Sequence, residues 1–274
     1  MEEIIPGSII VTGASGSMGK AAVKALAAKG RSVIMACRNL QKGVAARQEI
    51  LSQVPGAALQ LLPLDLGSMS SVRAFAAAVR DSDPAGLLNN AGTMPSHFSL
   101  TEDGLEQTVA VNYVGPYLLT RLLLDHLAPD AHIVNVVSLT AKYARIDENL
   151  LKKGPGDFHQ LRTYASTKLA LMLFSVELAK RTSLHVNMSD PGIVASNMID
   201  LGRWFDPLAD AIFKPLCKRP EQGAAPALAA MESDATMKLF KRDKCLDVPG
   251  RWLEHPLSAL LWQKTADLTG LSDF

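Results

Sequence analysis

A tyrosine at position 164 is followed four residues later by a lysine at 168, in the stretch TYASTKLALM. On a helix, positions i and i+4 share a face, so the phenol and the ammonium lie side by side. The next residues, Leu169, Ala170, Leu171, Met172, Leu173 and Phe174, read as a buried segment. A cation held against such a wall favours a phenolate and draws a tyrosine down from its ordinary value near 10. A phenol tuned toward neutrality is a general acid or base. The chain has four tyrosines, at 113, 117, 143 and 164, followed four places on by Tyr117, Arg121, Asp147 and Lys168. Only Tyr164 has the lysine.

A second candidate stands near the start, where SIIVTG (8–13) runs into TGASGSMG (12–19). Glycines lie at 13, 16 and 19, between an apolar strand and an Ala-rich helix. Glycines there permit a tight turn and a close backbone approach, and the following helix N-terminus favours a phosphate. A P-loop does not fit. The glycine it needs five residues before Gly19 is Ala14, and the Ser/Thr it needs after Lys20 is Ala21. An NAD site has an acidic residue roughly 20 residues further on, at the end of strand two. Here that neighbourhood reads Ala36, Cys37, Arg38, Asn39, without a carboxylate. Arg38 suits the 2′-phosphate of NADP(H) instead.

These residues need a scaffold. Apolar runs at 8–13, 32–38, 59–66, 86–92, 132–138 and 184–192 read as strands. Helical stretches at 20–29, 40–53, 70–80, 105–127 and 164–181 separate them. Alternation of this kind implies βαβ units and a parallel sheet, and fully apolar strands suit a sheet covered on both faces. The expected fold class is α/β: a Rossmann-type doubly wound parallel sheet in a three-layer αβα sandwich, as one domain over 1–274. The region 202–245, with several prolines and mixed charge, is expected as an insertion over one end of the sheet.

Composition sets outer bounds. The chain has 274 residues, is 48 % apolar and 20 % charged, and carries a formal charge of +1. No global basic field argues for nucleic acid. Cys37, Cys217 and Cys245 are few and far apart, which fits reduced thiols rather than zinc or a disulfide framework. The histidines at 97, 126, 132, 159, 185 and 255 show no metal spacing. MEEIIPGS does not read as a signal peptide, and no run approaches the ~18 apolar residues of a membrane span. The expectation is a soluble, cytoplasmic protein.

With TGASGSMG, LNNAG, a serine ending strand five and YASTK in this order, the chain resembles the short-chain dehydrogenase/reductase family across nearly its whole length. Within it, MACRN, LPLDLGSMSSVR, the wide gap from Ser138 to Tyr164 and KTADLTGL resemble the retinol dehydrogenase and WW-domain oxidoreductase branch. The resemblance implies roles. Gly13, Ser15, Ser17, Met18 and Gly19 line the pyrophosphate loop, and Arg38 meets the adenosine phosphate. Asp65 and Leu66 sit by the adenine, and Asn90, Ala91 and Gly92 beside the ribose. Asn112 holds a water near the lysine. Ser138, Tyr164 and Lys168 are the catalytic serine, tyrosine and lysine. Lys168 also reaches the nicotinamide ribose, and Pro191, Gly192, Ile193 and Ser196 touch the nicotinamide. The implied activity is hydride transfer between NADP(H) and a carbonyl or alcohol. The implied assembly is a homodimer or homotetramer through 105–127 and 164–181.

Two positions depart from the family pattern: Met18 replaces an isoleucine or leucine, and Asp190 precedes Pro191 where this branch often has histidine. An acid there bears on substrate binding or pH dependence. Between Ser138 and Tyr164 lies a polar loop with GPG, expected at the site mouth. The stretch 202–219 is amphipathic, with Trp204, Phe205, Leu208, Ile212, Phe213 and Leu216 at helical spacing. It reads as a lid over a hydrophobic substrate or, with Lys214, Lys218 and Arg219 beside it, as a subunit or membrane-surface contact. A non-catalytic NADP-binding sensor is the alternative to an enzyme.

Overall fold

The computed structural model describes residues 4–194 and 218–272. Among them eight strands form one sheet: β1 (Ile9–Thr12), β2 (Val33–Cys37), β3 (Leu59–Pro63), β4 (Gly86–Asn89), β5 (His132–Val136), β6 (His185–Asp190), β7 (Lys238–Lys241) and β8 (Lys244–Asp247). Their order is β3-β2-β1-β4-β5-β6-β7-β8, parallel throughout except for the antiparallel β7–β8 pair. Every residue of β1, β2 and β4 is buried, as a sheet covered on both faces requires.

The period-two geometry of a strand splits those apolar runs between two cores. Ile10, Ile34, Leu87, Ile133 and Val186 face one cluster, with α3 (Met69–Val79), α5 (Gly115–Leu123), α6 (Gln160–Arg181), α8 (Gly250–Leu253) and α9 (Ser258–Thr269). Ile9, Val11, Val33, Met35, Leu88 and Val134 face the other, with α1 (Ser17–Ala28), α2 (Leu40–Gln53) and α7 (Pro220–Met231). The result is a three-layer αβα sandwich. The strand order reverses at β1, whose neighbours are β2 and β4. That switch point opens the crevice where such sheets hold ligands.

Local signals explain the helix starts. Asn39 Oδ1 accepts from the Lys42 N–H at 2.9 Å and begins α2 one residue later. Ser68 does the same for α3 through the Ser71 N–H at 3.2 Å. The helical region expected over 105–127 is built from several kinds of turn. A short α4 (Gln107–Val109), capped by the Glu106 carboxylate, leads into a π-helical turn at Ala110–Val114 and then α5. Pro116 supplies a reason: it has no N–H to give the carbonyl four residues back, at Asn112. Single π turns of this kind occur often at functional sites.

Two further expectations change. The described part of 202–245 is not an insertion: residues 220–231 form α7 on one face of the sheet, and 238–245 contribute β7 and the start of β8. Residues 195–217, with Ser196, Cys217 and most of the amphipathic stretch, lie outside the described residues. Second, α6, one of the two stretches expected at a subunit contact, is largely covered within the chain itself. Every residue from 163 to 178 in α6 is buried within the single chain. The C-terminal helix covers it, with Trp262 of α9 stacked on Phe174 at 5.7 Å and edge-on to Tyr117 at 5.4 Å. The guanidinium groups of Arg121 and Arg181 lie 4.7 and 4.6 Å from the Trp262 ring. No described helix is long and apolar enough to cross a membrane.

Candidate active site

The C-terminal ends of β1 and β4 build one wall of the crevice. Gly13 leaves β1 at φ +64°, and a Cβ there would lie 2.9 Å from the Ala91 Cα. A Cβ on Gly19 would lie 2.2 Å from the Gly13 oxygen and 2.9 Å from the Asn90 amide nitrogen. Only glycine permits either approach. The loop enters α1 at Gly16, which gives no side-chain cap, and the first turn of α1 holds no acidic residue. Ser17, Met18 and Gly19 therefore carry backbone N–H groups at an uncapped, electropositive helix start, with Ser15 just before it. The Met18 sulfur turns away, toward Gly223 of α7.

Thr12 ties this loop to β4. Its hydroxyl accepts from the backbone N–H of Asn90 and of Ala91, both at 3.0 Å, and donates to the Leu88 carbonyl at 3.4 Å. The Asn90 side chain returns a bond to the Thr12 carbonyl at 2.8 Å. Asn90, Ala91 and Gly92 thus stand beside the glycine loop. Arg38 is exposed just past β2, next to the Asn39 cap. Asp65 Oδ1 accepts from the Gly67 N–H at 2.8 Å and holds its own turn, while Leu66 is buried in the core. Arg38, Asp65 and Leu66 thus follow the ends of the neighbouring strands β2 and β3, with the Leu66 side chain in the core.

Across the sheet, Ser138 lies two residues beyond β5 and caps a short 3-10 turn. Its hydroxyl is hydrogen-bonded to the Tyr164 side chain. Tyr164 stands in the second turn of α6, because that helix begins at Gln160. Lys168 is one turn on, with Nζ 5.8 Å from the Tyr164 ring centre and donating to the Val136 carbonyl at 2.8 Å. Asn112 is fully buried in the π turn. Its oxygen accepts from the Thr93 N–H at 2.8 Å, and its amide donates to the Thr93 carbonyl at 2.9 Å and to Thr167 at 3.2 Å.

The electrostatics correct one expectation. Burial pushes Tyr164 up to about 12, the Ser138 hydrogen bond opposes this, and the Asp190 charge adds to it. Burial also brings Lys168 down to about 8. Burial is thus the largest influence on both groups, and it acts on the phenol against the lowering expected from the lysine.

Pro191 and Gly192 follow β6, with Gly192 at φ +74° and Ile193 exposed. The Lys218 ammonium donates to the Pro191 carbonyl at 3.0 Å. Residues 8–203 match the family described as short chain dehydrogenase. The chain belongs to that family. It is 33 % identical to retinol dehydrogenase 13 of Homo sapiens, over 97 % of this chain and 86 % of the relative. Among solved structures, a putative uncharacterized protein from Mycobacterium Paratuberculosis superposes at TM-score 0.78 with 28 % identity, covering 98 % and 95 % of the two chains. A short-chain dehydrogenase from Sphingobium yanoikuyae in complex with NADPH gives TM-score 0.67 at 19 % identity, over 98 % and 97 %, and shares the fold.

As a short-chain dehydrogenase this chain is an oxidoreductase of the CH–OH/C=O class. Several residues that organise its site carried no separate signal in the sequence. Thr12 and Thr167 lie inside the quoted TG and YASTK motifs, yet only the fold shows what they hold. Thr93 lies outside every motif.

Proposed function

We propose that this short-chain dehydrogenase transfers a hydride between NADP(H) and a small carbonyl or alcohol substrate, with Tyr164 as the proton carrier. The observation that carries the reading is the convergence of Ser138, Tyr164 and Lys168 at the carboxyl ends of β5 and β6, on the sheet whose switch point holds the glycine loop. The residues fit a dinucleotide. Gly13, Ser15, Ser17, Met18 and Gly19 offer backbone to a pyrophosphate at an uncapped helix start. Asn90, Ala91 and Gly92 flank it as the ribose wall. Arg38, with no acid at the end of β2, suits a 2′-phosphate beside Asp65 and Leu66. Pro191, Gly192 and Ile193 form the turn nearest the nicotinamide position.

The bound nicotinamide supplies the hydride. Tyr164 gives a proton to the carbonyl oxygen as negative charge grows there, and Ser138 donates a hydrogen bond to the same oxygen. Lys168, donating one N–H to the Val136 carbonyl, would offer its remaining donors to a ribose hydroxyl. Asn112 fixes the Thr93 loop and the start of α6 relative to each other, and so positions the tyrosine and lysine. In alcohol oxidation Tyr164 takes the proton back. We place this activity in the cytoplasm on the unpaired state of Cys37 and Cys245.

Nicotinamide fluorescence titrations with NADPH and NADH, followed by a carbonyl screen, test the reading. Preference for NADPH, and loss of most turnover in Tyr164→Phe with cofactor affinity kept, are expected. Retained turnover in that variant would sink the mechanism. Tight NADPH binding without any turnover would favour a sensor. A homodimer or homotetramer remains the expected assembly, and light scattering reads it directly.

A further inference from the structure

Gly223 is a buried residue inside α7, where a helix ordinarily favours alanine over glycine. A Cβ there would lie 2.6 Å from Cγ2 and 3.2 Å from Cγ1 of Val194, and 3.2 Å from the Met18 sulfur. The first distance is shorter than two carbons approach, so the bare backbone is what admits these side chains. Met18 and Val194 therefore converge on one point, although they come from different segments.

Each segment has a part in the dinucleotide reading. Met18 is in the first turn of α1, whose backbone is offered to the pyrophosphate. Val194 follows the Pro191–Gly192–Ile193 turn assigned to the nicotinamide. That turn is also bound to the residue two places before α7. Lys218 forms an isolated parallel bridge with Val194. Its backbone N–H donates to the Ile193 carbonyl at 3.0 Å, and its ammonium to the Pro191 carbonyl at 3.0 Å. Beside the contact, Ala22 and Val23 of α1 share a buried core cluster with Ala224 and Ala227 of α7, so the two helices are held together.

We propose that Gly223 is a positioning residue: as the shared seat of Met18 and Val194, it sets the spacing between the glycine loop and the Pro191–Val194 turn, and so where the nicotinamide docks relative to the pyrophosphate. This deepens the NADP(H) reading and rests on it. Met18, a departure from the family pattern, fits that place, because an unbranched thioether adapts to the irregular gap beside a valine.

Full-length Gly223→Ala, Val194→Ala and the double variant test this. Each is titrated with NADPH, read by nicotinamide fluorescence, and with 2′-phospho-ADP-ribose, the same molecule without its nicotinamide, read by competition. Gly223→Ala puts a methyl where Val194 already sits, and should weaken NADPH about tenfold while the fragment stays within about twofold. Val194→Ala empties the seat, and should weaken NADPH about threefold with the fragment kept. In the double variant the new methyl takes the emptied space. The same truncation of Val194 should then strengthen NADPH about fivefold over Gly223→Ala. A merely structural glycine would move both molecules alike and show no such reversal of sign. Equal losses of NADPH and fragment, or additive losses in the double variant, overturn the proposal. If Gly223→Ala does not fold, Val194→Ala decides: weaker NADPH with the fragment kept supports the shared seat, and any other result overturns it. Wild type binding neither molecule would defeat the dinucleotide reading, and the spacing role with it. The expected shifts in a protein with no turnover would uphold the proposal and defeat only the enzymatic reading.

Discussion

The Lys168 amino group reaches past the Tyr164 ring to the Val136 carbonyl, donating at 2.8 Å while its nitrogen stays 5.8 Å from the ring centre. The lysine is therefore a buried cation anchored on the sheet. Its folded value near 8 lies below its ordinary 10.5. The unfolded chain then binds more protons than the folded one between those values. Stability rises with pH across that window, and the full penalty is present below pH 8. Lys168→Met should stabilise the protein by about 1–3 kcal/mol at pH 7, with the gain shrinking towards pH 10.5. Urea unfolding at both pH values checks this. Turnover should fall at least about a hundredfold in the same variant. A variant less stable than wild type at pH 7 would show that the Val136 bond outweighs desolvation.

Thr12 receives two backbone N–H groups on one fully buried hydroxyl. Thr12→Val keeps the shape and strands both donors, which costs about 2–4 kcal/mol. Thr12→Ser should recover most of it. Calorimetric Tm values for the two variants decide whether the hydroxyl or the methyl is what matters.

Gly19 and Gly16 provide a graded pair. A methyl at 19 meets backbone on two sides, whereas one at 16 approaches only the Gly13 oxygen, at 3.3 Å. Gly19→Ala should weaken NADPH binding more than about tenfold and lower Tm, with Gly16→Ala clearly milder. Equal effects would argue that the loop is not shaped by these contacts.

Arg38 is exposed and free to meet a phosphate. Arg38→Ala should weaken NADPH by about tenfold, near 1.4 kcal/mol, and leave NADH within about twofold. Parallel fluorescence titrations measure both. A similar loss for the two cofactors would place Arg38 elsewhere than on the 2′-phosphate.

Trp262 is the plug over α5 and α6, nearly fully buried and packed between two guanidinium groups. Trp262→Ala should cost about 3–5 kcal/mol. By uncovering Phe174 and Tyr117 it should also raise the apparent mass in light scattering. A stable monomeric variant would mean that the C-terminal helix does not guard that face.

Much of this architecture was legible in the residues. Leu40 to Gln53 was readable as a helix from its place between two apolar runs, while the Asn39 cap that starts it shows only in the structure. The six apolar runs were readable as strands because a parallel sheet buries both faces. Residues 238–247 were not, since β7 is half-buried and β8 is fully exposed, so neither carries an apolar run. The π turn around Asn112 was hidden for another reason: periodicity describes regular helices, and this break depends on one proline and its packing.

The residue types of the candidate site and their order are written in the chain, because Tyr164 and Lys168 share a helix face and Gly13, Gly16 and Gly19 share a turn. Those are local relationships, and local backbone geometry is what spacing encodes. The protonation chemistry was decided by tertiary structure. Spacing alone suggested that the lysine lowers the tyrosine. Burial, with a smaller push from the Asp190 charge, raises it instead. Proton affinity depends on solvent exclusion and on every charge nearby in space, and only the folded sheet sets those distances.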